Sequence, residues 1–315
     1  MPAHDRAPHA QGGKGEPMGM DRIAGAPISW GVCEVPGWGL QLPPARVLEE
    51  MGGLGLAAAE FGPDGFLPSG AAERTALLRR HGLRPVGGFV PAVLHDPERD
   101  PLPEVERALS GFGVERSSSV GAGPPLTLVL AAATGLDGYD ERPVLNAAAW
   151  TTLLGNLDRI AARAAELGVQ ATLHPHVGTV VERREEVHRV LDGAAIPLCL
   201  DTGHLLIGGT DPVELAARAP DRIAHVHLKD VDAELADGVR CGRSTYTDAV
   251  RAGIYRPLGA GDVDVAALLS SLEGVGYDGW YVLEQDVVLA DEPAPGTGPC
   301  DDVRASLGFL AGALA

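Results

Sequence analysis

Short apolar runs alternate with amphipathic stretches about eight times along this chain. The runs fall at 22–26, 56–60, 85–90, 125–131, 170–174, 197–201, 223–228 and 280–284, and their length and composition predict β-strands. Helical periodicity is expected at 44–53, 71–81, 102–110, 145–168, 182–192, 211–219, 264–275 and 301–314. The clearest helix carries Leu157, Ile160, Ala164 and Leu167 at spacings of three and four. Asp211-Pro212 predicts a helix start, with an N-cap followed by proline at the first position. Gly168 and Gly193 stand where helices should stop. Strands and helices that alternate with no second pattern call for a parallel sheet, and eight units predict closure into a single (β/α)8 TIM barrel. An open doubly wound sheet would want a glycine-rich phosphate turn after the first strand, and Gly25-Ala26-Pro27-Ile28-Ser29 is not one.

The length of 315 residues suits one such domain, expected over 21–315. Residues 1–20 hold Pro, Gly, His and charge without an apolar run, so they read as a disordered tail rather than a targeting signal. Aromatics are only 4% of the chain, so the core must be built from Ala, Val and Leu. The net charge of −18, with no cluster of Lys and Arg, argues against nucleic acid as a partner. No run approaches the roughly 18 apolar residues of a membrane span. The four cysteines, Cys33, Cys199, Cys241 and Cys300, form no CxxC pair, which predicts a reduced, cytoplasmic protein. A homo-oligomer is compatible with all of this.

Four of the runs end alike. Ala171-Thr172-Leu173 leads to His174, Pro197-Leu198-Cys199-Leu200 to Asp201, Ile223-Ala224-His225-Val226 to His227, and Trp280-Tyr281-Val282-Leu283 to Glu284. In a parallel barrel the strand C-terminal ends share one face, so these four side chains can meet around one ion. Two imidazoles and two carboxylates suit a divalent ion: Mn²⁺, Co²⁺, Fe²⁺, Zn²⁺ or Mg²⁺. With no thiolate in the set, a closed structural zinc site is not expected.

Proton-transfer candidates lie beside these positions. His176 is two residues past His174, His204 three past Asp201, and Lys229 two past His227, while Glu60 ends the second run. A nearby cation should lower the pKa of His and Lys and favour their free-base forms. His225 either reaches substrate or orients a ligand from within the barrel. Trp30, near the first run, can supply a flat wall for substrate. Residues 229–263 are too long for an ordinary βα loop and carry Arg240, Arg243, Tyr246, Tyr255 and Arg256. This segment is expected to lie over the site as a lid, with Arg256 as a further substrate contact.

Asp201-Thr202-Gly203-His204, His225-Val226-His227-Leu228-Lys229-Asp230, Pro257-Leu258-Gly259-Ala260-Gly261-Asp262 and Trp280-Tyr281-Val282-Leu283-Glu284 resemble the xylose-isomerase-like barrel superfamily over roughly residues 22–290. Within it, Ala26-Pro27-Ile28-Ser29-Trp30-Gly31, His174-Pro175-His176-Val177-Gly178-Thr179 and Glu284-Gln285-Asp286 look most like the inosose dehydratases. That resemblance implies metal-dependent loss of water from a polyhydroxy ketone, 2-keto-myo-inositol, in inositol catabolism, with Mn²⁺ or Co²⁺ as the metal. The alternatives are a sugar or sugar-phosphate epimerase or isomerase working through an enediolate, and a non-catalytic metal- or sugar-binding barrel. The superfamily's repair nuclease would need a basic groove that this chain lacks. One stretch departs from the family. Val129-Leu130-Ala131-Ala132-Ala133-Thr134 is apolar where inosose dehydratases place polar side chains, so one wall of the pocket should be apolar.

Overall fold

The computed structural model describes residues 19–113 and 123–314. Most of the expected N-terminal tail, residues 1–18, lies outside the described residues; Met20–Arg22 forms a short 3-10 turn.

Eight parallel strands close into a barrel. They are β1 (Ile23–Gly25), β2 (Ala58–Glu60), β3 (Arg84–Ala92), β4 (Thr127–Ala132), β5 (Gln170–Leu173), β6 (Leu198–Asp201), β7 (Ile223–Leu228) and β10 (Tyr281–Leu283). Each pairs with its neighbour in chain order, and β10 closes the ring on β1 through Ile23–Tyr281, Ala24–Val282 and Gly25–Leu283. Two further strands, β8 (Asp230–Val231) and β9 (Tyr255–Arg256), form an antiparallel ribbon outside the barrel.

The helices covering the barrel are α1 (Pro44–Gly53), α2 (Ala71–Arg80), α3 (Leu102–Phe112), α4 (Ala147–Glu166), α5 (Arg184–Gly193), α6 (Thr202–Ile207), α7 (Pro212–Arg218), α10 (Val265–Gly274) and α11 (Pro299–Ala313). Their starts follow the sequence. Asp211 accepts from the backbone N–H of Val213 and Glu214 to begin α7, and Asn146 accepts from Ala149 to begin α4. Gly168, at φ +73°, ends the turn after α4. Among the described residues, no helix is long and apolar enough to cross a membrane.

Alternation along the strands places the site. Leu198 and Leu200 of β6 pack outward in the main core, so Cys199 and Asp201 face the barrel interior. Val226 and Leu228 of β7 do the same, which turns His225 and His227 inward. Small residues fill the barrel beneath, where Ala24, Ala58, Val86 and Val282 pack with Trp280. Few aromatics are needed there: β1, β2, β3 and β10 converge on alanine and valine around the single ring of Trp280.

The expected lid is a packed excursion. Between β8 and β9 it carries α8 (Ala233–Arg240) and α9 (Tyr246–Arg251). Val231, Ala236, Tyr246, Ala249 and Ile254 form a second small core with Cys33, Trp38, Val177 and Ile207. The excursion therefore flanks the C-terminal face of the barrel as a fixed wall.

Candidate active site

His174, Asp201, His227 and Glu284 meet at the C-terminal face of the barrel, all nine-tenths or more buried. His174 Nε2 lies 3.3 Å from Asp201 Oδ2. His227 Nδ1 lies 3.5 Å from the same oxygen and 2.8 Å from Glu284 Oε2. The ligand-type atoms of Asp201, His227 and Glu284 are all within 4.8 Å of one another.

Asp201 is oriented by the helix it starts. Its Oδ1 accepts from the backbone N–H of His204 at 2.8 Å, which makes it the N-cap of α6 and leaves Oδ2 to the cluster. His227 is oriented by Glu60, whose Oε1 accepts from His227 Nε2 and from His225 Nε2, each at 3.0 Å. A carboxylate acceptor fixes the proton on Nε2, so neutral His227 presents a lone pair at Nδ1. Both carboxylates of the cluster face that lone pair, and no hydrogen bond satisfies it. His174 Nδ1 is also buried without a partner. A divalent cation resolves such an arrangement, and the donor set of two imidazoles and two carboxylates fits one. Without a cation, burial opposes a proton on His227 but Glu284 and Glu60 override it, and the pKa rises well above the ordinary imidazole value.

Cys199 was missed by reading strand ends alone. It lies one layer below Asp201, with its sulfur near the donor atoms of His174 and His227. Burial pushes its pKa up to about 11, so it stays a thiol.

A cleft opens above the cluster. His174, His176, His227, Glu60, Glu284 and Asp286 line its polar floor, and Ile28, Trp38, Phe89 and Tyr139 its walls. Among the described residues no lysine or arginine lines it. The apolar wall expected from the fourth strand takes a different form. Ala131, Ala133 and Thr134 face an adjoining groove, and Phe89 and Tyr139 stand between that groove and the cleft.

The proton-transfer candidates separate. His176 reaches the cleft, and its Nδ1 donates to the Val177 carbonyl at 2.6 Å, which leaves Nε2 as the acceptor. Burial, with His174 and Lys229 nearby, holds its pKa well below the ordinary value, so it is neutral. His204 and Lys229 lie behind the floor. Lys229 Nζ sits 2.7 Å from Glu284 Oε1 and 2.8 Å from Asp286 Oδ1, and donates to His204 Nε2 at 2.8 Å. Gly203 makes room for this packing, since a Cβ there would stand 2.8 Å from the Lys229 Cβ and from the Tyr255 ring.

Burial opposes the charge of Lys229, but Asp201, Asp286 and Glu284 outweigh burial and raise its pKa well above 10.5. Asp286, unmarked as a site residue by the sequence, takes part in the same network. Its Oδ2 accepts from the Tyr246 hydroxyl at 2.5 Å, and Tyr246 in turn meets the Tyr255 hydroxyl at 2.9 Å. Burial raises its carboxyl pKa; Lys229 opposes the rise and Glu284 adds to it.

Three expected substrate contacts fall elsewhere. Trp30 is fully buried in the main core, where its indole N–H donates to Glu50 Oε2 at 2.8 Å. It follows β1 in a 3-10 turn that points the ring outward, away from the cleft. Arg256 is exposed on β9 and pairs with Asp232 at 3.2 Å, because the ribbon turns it to solvent. His225 sits a layer below His227 and holds Glu60 instead of substrate.

A family model described as Xylose isomerase-like TIM barrel matches residues 48–310. The rhizopine catabolism protein MocC of Rhizobium meliloti is 35% identical over 274 residues, covering 84% of this chain and 81% of that protein. An inosose dehydratase of Geobacillus kaustophilus is 32% identical over 281 residues, covering 85% and 89%. Among solved structures, an L-ribulose 3-epimerase superposes with a TM-score of 0.63 at 15% identity, covering 93% of this chain and 94% of that one, a likeness of fold alone.

Proposed function

The chain belongs to the xylose isomerase-like TIM barrel family, and from that premise we propose that it is a dehydratase that removes water from a keto-cyclitol, 2-keto-myo-inositol. One observation carries the proton transfer that opens the reaction. The neutral His176 imidazole presents a free Nε2 to a cleft whose floor holds His174, His227 and Glu284 of the cluster. The 32% identity to an inosose dehydratase over most of both chains supports the same reaction class.

His174, Asp201, His227 and Glu284 would hold a divalent ion, Mn²⁺ or Co²⁺ by preference. When bound, it supplies Lewis-acid stabilisation of negative charge developing at the ketone. His176 Nε2 takes the proton α to that ketone. Asp286 lines the same floor with its carboxylate held by Lys229 and Tyr246, and the proton for the departing β-hydroxyl would come through this network. Lys229 contacts Glu284 and Asp286 from below and fixes both carboxylates, with no reach into the cleft. Glu60 fixes the tautomer of His227.

A sugar epimerase would share the first proton transfer and then return the proton. A phosphorylated substrate fits poorly, because four carboxylate side chains and no described lysine or arginine face the cleft. The deciding experiment is incubation of Mn²⁺-loaded protein with inosose and a panel of ketoses, followed by mass spectrometry. Loss of one water from inosose is expected. Conversion of a ketose to its epimer, with inosose left intact, would replace the dehydratase by the epimerase.

A further inference from the structure

We infer that Tyr139 and Glu34 form a hydroxyl-binding subsite at the mouth of the cleft, which grips the polyol ring and sets which ring hydroxyls are accepted. The inference rests on the polyol reading above and adds to it the residues that select the substrate.

Four observations carry it. Tyr139 and Glu34 both line the cleft, from different loops, and the Tyr139 hydroxyl donates to the Glu34 carboxylate across its mouth. The Tyr139 ring centroid lies 4.4 Å from that of His176, which stacks the ring against the base that starts the reaction. None of the β4 residues lines the cleft, so on this side the loop after β4 supplies its polar group. Finally, Tyr139 is held in place from two sides. Its backbone packs against Gly178, where a Cβ would stand 2.2 Å from the Tyr139 carbonyl oxygen. The next residue, Asp140, accepts from the backbone N–H and the hydroxyl of Thr247 on α9, at 3.1 and 3.2 Å.

The chemistry is that of a diol clamp. A carboxylate accepts from two adjacent hydroxyls, and a phenol donates one hydrogen bond while accepting another. Glu34 is exposed, and among the described residues no lysine or arginine lines the cleft. Its Oε1 accepts from Tyr139 and its Oε2 lies 3.8 Å from the Cys33 thiol, which leaves a further lone pair on each oxygen. Such a pair rewards a ring bearing neighbouring hydroxyls, which can bond to both groups while Tyr139 and Glu34 stay bonded to each other, and offers nothing to a ring that lacks them.

Tyr139→Phe removes the hydroxyl and keeps the ring on His176; Glu34→Gln removes the charge and keeps the shape. Each should lower kcat/KM for inosose about 10- to 100-fold, mainly through KM, as expected for a hydrogen bond to a charged group. The double variant should lose little more than either single one. Calorimetric titration with myo-inositol should show the same loss of affinity without turnover, and thermal melting should match wild type. A wild-type protein that binds myo-inositol but leaves inosose intact, with variants that lose binding, removes the dehydratase reading and keeps the subsite. Variants that bind and turn over like wild type, or a wild type that binds no cyclitol, overturn the subsite. So does impairment confined to Tyr139→Ala, which would assign Tyr139 to ring packing alone.

Discussion

Glu60 of β2 and His227 of β7 meet across the barrel through one hydrogen bond of 3.0 Å, from Nε2 to Oε1. That bond decides which nitrogen of His227 faces the carboxylates of the cluster. Glu60→Gln keeps the shape, but its amide is a weaker acceptor and can also turn an N–H toward the imidazole. Metal affinity is expected to fall about 10- to 100-fold, read by calorimetric titration of the apoprotein with Mn²⁺. Unchanged affinity would show that the tautomer does not matter.

Chelation should abolish dehydration, with Mn²⁺ or Co²⁺ restoring it best. Glu284→Gln should weaken metal binding, since it removes a charge at the point where His227 Nδ1 is 2.8 Å away. Metal content measured by elemental analysis checks both. Full activity in metal-free protein would dismiss the ion from the reaction.

His176→Ala should cost about 10²-fold or more in kcat, the usual worth of a positioned base, with metal content unchanged. The same variant should lose exchange of the substrate α-hydrogen with deuterated solvent, followed by NMR. Retained exchange would move the base to another residue.

Lys229→Met should act mainly on stability. It leaves Asp201, Glu284 and Asp286 buried without their shared cation, and breaking buried pairs of this kind costs about 3–5 kcal/mol. A melting temperature equal to wild type, together with a selective loss of kcat, would instead return Lys229 to the acid–base role expected from the sequence.

Trp30→Phe and Arg256→Ala test the corrected contacts. Trp30→Phe leaves buried Glu50 short of one donor and should lower stability by about 1–3 kcal/mol, read by denaturant titration. Neither variant should change kcat/KM by more than about two-fold, as neither side chain lines the cleft.

The barrel was legible because each strand is a short apolar run and each long helix keeps its period. The cluster was legible because strand ends in a parallel barrel share a face, and four runs end on ligand-type residues. Other parts lacked such a signal. The six residues of α6 and of α9 are too few to show periodicity, and α6 begins inside the Asp201-Thr202-Gly203-His204 motif itself. Tyr139 sits in a loop that reaches the cleft only because Gly178 lets its backbone approach. Asp286 lies two residues past a strand end, where a carboxylate is as readily a solvated loop residue. Lys229 had the right position but the wrong neighbours, since its three carboxylates come from two other strand ends.

Asp201 gives one oxygen to the first turn of α6 and the other to the cluster. A carboxylate pinned by a backbone amide loses its rotational freedom when the chain folds, before any ion arrives. Uptake of the ion then needs little rearrangement, and the metal-free protein should keep its helices and its barrel. Stiff donors also discriminate by size: an ion too large for the gap between Asp201 and His227 cannot be accommodated by letting the carboxylate swing aside. Any ion that this cluster takes would be selected at the start of a helix.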